Sequence, residues 1–263
     1  MTKTREPKIL LYDIETSPNL GYVWGAYEQN VLRFTKEREL LSFAYCYASD
    51  PAIVIVESRE GQKSDRSLVK KLAKLLSDSD VVVAHNGDQF DNKIVKSRML
   101  YHGLPPLKQL CSVDTKKAAC AYFGFNANSL DALARFLRLG RKMPTPGFSL
   151  WEGCMADDPK AWRTMRRYNA HDVRILARVY AKLRPWILNH PSVARIINPI
   201  SREPGRCPYC GGTHVAKRGI RVTNASANQA WQCKSTKCGG WFKTRLVPNG
   251  GAGKPSARLR RVR

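Results

Sequence analysis

The sequence predicts an α/β domain with a mixed sheet flanked by helices, joined to a small C-terminal domain held by cysteines. Short apolar runs rich in β-branched and aromatic residues alternate with segments of helical spacing over the first 190 residues. Four of the eight cysteines, Cys207, Cys210, Cys233 and Cys238, are bunched near the C-terminus. The other four, Cys46, Cys111, Cys120 and Cys154, are scattered in apolar or helical surroundings as small hydrophobes. Net charge is +24, and from Ile200 onward fourteen Lys and Arg face one acid, Glu203.

A first strand is expected from Lys8 to Asp13, where "KILLYD" is almost wholly apolar. Two more, Leu40–Ala48 and Ala52–Ser58, are β-branched and aromatic and read as a hairpin. Leu68, Leu72, Leu75 and Leu76 recur at helical spacing. "DVVVAHN" is a short buried strand, followed by a helix over Asp91–His102, and "LCSVDT" is the next strand, with Asp114 capping the helix after it. "NSLDALARFLRLG" is a helix with Ser129 as N-cap and Gly140 as stop, and "KMPTPGFS" is a loop. From Pro159 to Leu188 the pattern is helical, in one or two pieces. The prolines and glycine of "NHPSVARIINPISREPG" mark a linker. The expected division is 1–190 for the α/β domain, 191–204 for the linker, 205–247 for the cysteine domain and 248–263 for a basic disordered tail.

Four acids stand out against this frame. Asp13 and Glu15 in "YDIET" lie two apart on a strand, so their side chains share a face. Asp91 in "HNGDQFD" opens a helix just past a strand. Asp172 in "YNAHD" follows Tyr168 by four residues on a helix, which puts phenol and carboxylate on one face. Singly, each has an ordinary reading as a strand-end or helix-terminal acid. Brought to one sheet edge, the four would repel unless hard divalent cations with oxygen ligands sat between them. Asp88 is a rival for the second position but lacks the Phe-Asp pairing, Asp114 and Asp131 read as helix starts, and His85 and Asn86 as turn-shaping residues.

The three motifs, in this order and on these elements, resemble those of the DEDD exonucleases of the RNase H-like superfamily, and most nearly the YprB-type branch of phage and bacterial nucleases, over roughly Lys8–Leu188. Tyr168 stands four residues before the last acid, and the position that would carry histidine in the other subclass is Arg167, so the resemblance is to the tyrosine (DEDDy) form. It implies an RNase H-like mixed sheet and a two-ion Mg²⁺ or Mn²⁺ centre. Asp13, Glu15 and Asp172 would hold one ion, Asp13 would bridge to a second supported by Asp91, and Tyr168 would position the attacking water. A phenol with an ordinary pKa of ~10 is a poor base beside such an ion.

"CPYCGG" and "CKSTKC" give Cys-x2-Cys, a gap of 22 residues, and Cys-x4-Cys. Four thiolates at this spacing suit a structural Zn²⁺ in a zinc ribbon, with His214 as reserve ligand. Lys217, Arg218, Arg221, Lys234, Lys237, Lys243 and Arg245 are interleaved with Trp231, Trp241 and Phe242, a mixture suited to phosphates and bases, although at least two aromatics are expected in the ribbon's own small core.

A polyanionic partner explains such an excess of positive charge, which folding does not require. No apolar run approaches the ~20 residues of a membrane span, and no secretory signal pattern opens the chain, so an intracellular, cytoplasmic location is expected, the host cytoplasm if the gene is a phage's. The first expectation is a metal-dependent 3′–5′ exonuclease on single-stranded or branched DNA. The alternatives are a structure-selective endonuclease such as a Holliday-junction resolvase, acting as a homodimer, and a non-catalytic nucleic-acid-binding protein.

Overall fold

The fold was taken from a computed structural model, which describes residues 6–25, 27, 30–187, 189–193, 196, 206–223, 226–236 and 238–246. The tail 248–263, most of the linker 191–204, and Lys237 therefore lie outside the described residues.

A five-stranded sheet has the order β5-β4-β1-β6-β7, from β1 (Ile9–Thr16), β4 (Leu40–Tyr47), β5 (Asp50–Ser58), β6 (Val81–Ala84) and β7 (Ser112–Asp114). β1 runs antiparallel to β4 and parallel to β6, so the sheet is mixed. Its two faces are filled by the period-2 alternation of β1. Ile9 and Leu11 point to one side and pack with α3 (Thr115–Tyr122), α4 (Leu130–Phe136) and α6 (Pro159–Leu183). Leu10, Tyr12 and Ile14 point to the other and pack against α1 (Arg66–Ser77) and α2 (Asp91–Tyr101). Continuing the first row, Asp13 and Glu15 face α6.

α6 is one unbroken helix, followed by a 3-10 turn at Arg184–Trp186. Asp158 caps its start by accepting from the amides of Lys160 and Ala161, and Pro159 occupies the first turn. Buried Met165, Asn169, Asp172, Val173 and Leu176 form a stripe at spacings of three and four, so the helix carries polar groups inward along with its apolar face. Caps at Asp114 and Ser129 fall where the sequence expects them.

The end of α2 is tied to the start of α1 by a buried ion network. Asp65, fully buried, accepts from the guanidinium of Arg98 at 2.7 and 2.8 Å, from the Leu40 amide at 2.9 Å, and bonds His102 at 2.6 Å. Removing one partner of such a pair typically costs about 3–5 kcal/mol, because the other charge is left buried.

Two elements depart from the sequence expectation. A short helix, α5 (Ser149–Met155), follows the loop and packs Leu150 and Cys154 with Trp162 and Met165 of α6. Between β1 and β4 stands a separate hairpin of β2 (Leu20–Tyr22) and β3 (Arg33–Lys36), exposed at every residue of both strands. Neither of its faces is buried, so its sequence has no apolar alternation to reveal it.

At the C-terminus β8 (Val215–Thr223), β9 (Ser226–Cys233) and β10 (Trp241–Arg245) form a three-stranded antiparallel sheet in the order β10-β9-β8. Trp231 and Phe242 stack with centroids 6.2 Å apart, while Trp241 stays exposed.

Candidate active site

β1 delivers Asp13 and Glu15 to the face crossed by α6, which delivers Tyr168, Asn169 and Asp172. One carboxylate oxygen from each of Asp13, Glu15 and Asp172 lies within 4.8 Å of the others. Asp91 approaches from the opposite layer. Pairing of β1 with β6 ends at Leu11, and beyond it Asp91 Oδ1 accepts from the Ile14 amide at 3.2 Å. Asp91 is 3% exposed and its charge acts directly on Asp13. Three of the four acids are thus mutual neighbours, and the fourth flanks Asp13 rather than joining the trio.

Several residues without a role in the sequence reading complete the site. Asn169 Nδ2 donates to Asp13 Oδ2 at 2.8 Å, and Ser42 of β4 donates to Asn169 Oδ1 at 3.1 Å, which orients the amide. Trp151 of α5 lies beside Glu15 and favours its charged form, and its ring meets Tyr168 edge-on at 6.1 Å. Lys142 Nζ donates to Asp172 Oδ2 at 2.6 Å and to the Tyr168 hydroxyl at 3.2 Å. The loop carrying Lys142 is pinned from two sides. Asp131 Oδ1 accepts the Lys142 amide at 2.7 Å, and His171 Nε2 bonds the Arg141 carbonyl at 2.8 Å. His171 therefore points away from the acids, and Asp131 acts through Lys142.

The remaining sequence candidates have structural partners. Asp114 accepts from the amides of Asn86, Asp88, Lys116 and Lys117. Asp88 is bonded by Lys117 and Ser112. His85 joins Thr115 and the Asn128 carbonyl, and burial lowers its pKa to about 4, so it is a neutral brace. Asn86 adopts φ 67° in the turn above.

Burial pushes every carboxyl of the site upward. Burial and then Glu15, Asp91 and Asp172 raise Asp13 well above the usual range. Burial and then Asp172 raise Glu15 to about 8, and Asp91 rises to about 7 by burial. Asp172 is raised by burial against the pull of Lys142, and Tyr168 is pushed to about 12 by burial and the charge of Asp172. Burial disfavours the Lys142 ammonium, yet Asp172 more than offsets this and holds it protonated. One lysine against four carboxylates leaves a surplus of negative charge. Like charges ~4 Å apart repel by about 4 kcal/mol at an effective dielectric near 20. Asp172 Oδ1 is buried without a hydrogen-bond partner. An all-carboxylate donor set with one orphaned oxygen fits a hard divalent cation.

This arrangement predicts how stability depends on pH. With Glu15 and Asp91 raised to about 8 and 7, the native state holds more protons than the unfolded state between about pH 4 and 8. The contribution of these groups to stability is therefore lost as pH rises through that window. Mg²⁺ or Mn²⁺ held by these acids would bind their deprotonated form and counter the loss. At about a hundred times its Kd the ion is worth about 2.7 kcal/mol, and a protein of this size gains roughly 2–4 °C per kcal/mol. Calorimetry is expected to show a rise of about 5–10 °C with Mn²⁺ at about pH 8 and a much smaller one at about pH 5.5. An equal shift at both pH values would refute ion binding by these acids.

In the C-terminal sheet the four thiols form a second cluster. Cys207 and Cys238 Sγ lie 3.7 Å apart, as do Cys210 and Cys233, and all four come within 4.8 Å of one another. Such a set is compatible with a zinc ribbon. His214 is exposed and outside the cluster. Among the described residues no helix is long and apolar enough to cross a membrane.

A family model, RNase_H_2 of the RNase H superfamily, matches residues 10–184. No curated protein matches the chain. Among solved structures, the family B DNA polymerase of the hyperthermophilic archaeon Pyrobaculum calidifontis aligns with a TM-score of 0.53 at 19% identity. The match covers 73% of this chain and 27% of the polymerase, and at that identity the likeness is one of fold.

Proposed function

The chain belongs to the RNase H superfamily, whose fold is generally that of metal-dependent nucleases, and from that starting point we propose that it hydrolyses phosphodiester bonds in DNA as a 3′–5′ exonuclease. The observation that carries this is the convergence of Asp13, Glu15 and Asp172 within 4.8 Å, with Asp91 flanking Asp13. Asp13, Glu15 and Asp172 would hold one divalent ion, and Asp13 with Asp91 a second. Mg²⁺ or Mn²⁺ held there would supply an activated water and stabilisation of the leaving oxygen.

The protein's own groups do the positioning. Asn169 orients the Asp13 carboxylate by its hydrogen bond, and Trp151 stands beside Glu15. Tyr168, kept protonated by burial and by Asp172, orients water as a hydrogen-bonding group and does not act as a base. Its position relative to Asp172 is what favours the exonuclease reading. The cluster of four thiols would bind Zn²⁺ with no coordination position left for chemistry, so the ribbon, residues 205–247, serves as a nucleic-acid-binding domain beside the 1–190 nuclease domain.

The test is product analysis on 5′-labelled single-stranded and blunt duplex DNA, and on internally labelled, covalently closed branched DNA, with Mg²⁺ or Mn²⁺. Stepwise shortening from the 3′ end, with closed substrates left intact, is expected. Incision of the closed branched substrate would replace the exonuclease with the structure-selective endonuclease. Absence of cleavage on all substrates with either ion would end the enzyme reading.

A further inference from the structure

The β2–β3 hairpin leaves β1 immediately beyond the catalytic acids and exposes an unusual concentration of apolar surface. Trp24 and Tyr27 are each 86% exposed, Tyr22 57% and Phe34 49%, with Val31 and Leu32 also open. Contiguous exposed apolar surface on a folded chain marks a contact site rather than a neutral face. Within the hairpin the Arg33 guanidinium lies over the Tyr22 ring at 5.4 Å, so cationic and aromatic groups are interleaved.

Two recesses lie in the region between this hairpin and the acids. A groove of about 460 Å³ is lined by Thr16, the neighbour of Glu15 in β1, and by Pro18, Arg38, Phe90, Phe148 and Trp151. A cleft of about 340 Å³ lies between Phe34 of the hairpin and Tyr101 of α2. Arg38 lines both, with its guanidinium 5.8 Å from the Phe90 ring. The recess beside Thr16 and Trp151, next to the acids, and the cleft beside Phe34 of the hairpin thus share Arg38 as a common wall.

We propose that the β2–β3 hairpin is a stacking arm for unpaired nucleobases, which directs this site to single-stranded or frayed nucleic acid. The proposal rests on the nuclease reading of the acidic site. Aromatic faces alternating with arginines match a single strand, whose bases offer free π-faces and whose phosphates need cations. Bases inside an intact duplex are already stacked on one another and offer the arm nothing. Continuity with the catalytic edge, in a chain of net charge +24, favours a nucleic acid over a protein as occupant.

The test uses the full chain carrying Asp13→Asn, so that no cutting intervenes, and measures anisotropy of a labelled single strand and of the blunt duplex of the same sequence. Adding Trp24→Ala with Tyr27→Ala is expected to weaken single-strand binding by roughly tenfold or more, and duplex binding by less than about twofold. Trp24→Phe with Tyr27→Phe keeps an aromatic face and is expected to retain single-strand affinity within about threefold. A 2-aminopurine base in the strand is expected to be quenched by the parent and to brighten in the alanine variant. Equal loss on both DNAs, or no loss on either, overturns the proposal. So does dissociation of a dimer by the alanine pair with single-strand affinity unchanged, which would assign the surface to a second copy. All four substitutions are at exposed positions, and matching thermal melts verify that the variants fold. If wild-type protein cleaves nothing while the stacking readouts hold, the nuclease reading fails and the arm does not.

Discussion

Asp13→Asn is expected to lower phosphodiester cleavage by about a thousandfold or more while leaving DNA affinity unchanged. In the proposed mechanism several kcal/mol of transition-state stabilisation would depend on ions held at this carboxylate, and each 1.36 kcal/mol is tenfold in rate. The substitution is nearly isosteric, and the Asn169 amide can still donate to an oxygen at position 13. It also removes one of four crowded negative charges, so the metal-free variant is expected to melt no lower than wild type above about pH 7. That separates a lost ion site from a lost fold. Tyr168→Phe removes only a water-positioning hydroxyl and its bond from Lys142, and a smaller loss of rate is expected. Cleavage by Asp13→Asn within about tenfold of wild type would show that the ions, if present, act elsewhere.

The second large effect is expected from zinc. The buried core of the C-terminal sheet consists of Cys207, Tyr209, Cys233 and Cys238, with Cys210, Val215 and Phe242 packed against it. So few side chains cannot fold a domain unaided, whereas a structural Zn²⁺ contributes an apparent ~10–16 kcal/mol. Cys233→Ser, or removal of Zn²⁺ by a chelator, is expected to unfold this module and leave the α/β domain folded. Lys217, Arg218, Arg221, Lys243 and Arg245 would then no longer be presented together on a sheet. DNA binding should weaken, and its logarithmic dependence on salt should flatten by close to one unit for each phosphate no longer neutralised. Metal analysis of the purified protein should find about one Zn²⁺ per chain. Protein without zinc, whose salt dependence is unchanged by Cys233→Ser, would remove the ribbon from the binding function. Some coupling to the α/β domain is also expected. Arg184, just past α6, hydrogen-bonds the Tyr209 carbonyl, and His190 meets the Tyr209 ring at 6.3 Å.

By itself the sequence determined the strands of the sheet, the long helices and the acids, because each is written in a local period. Asp13 and Glu15 share a face with Ile9 and Leu11 through the alternation of one strand, and Tyr168 and Asp172 are one helical turn apart. The cysteine spacing likewise marks a thiol cluster compatible with a metal without reference to the rest of the fold. Only the tertiary structure decided that Lys142 enters the site, since it comes from an irregular loop held by Asp131 and His171, and no spacing relates it to Asp172. The same holds for Trp151 on a short helix and for the orientation of Asn169 by Ser42. The β2–β3 hairpin escaped sequence reading because it buries neither face, and burial is what imprints a period on a chain. Position along the sequence specified which groups bear the chemistry, and packing between layers brought Asp91 to the flank of Asp13 and set one lysine against four carboxylates.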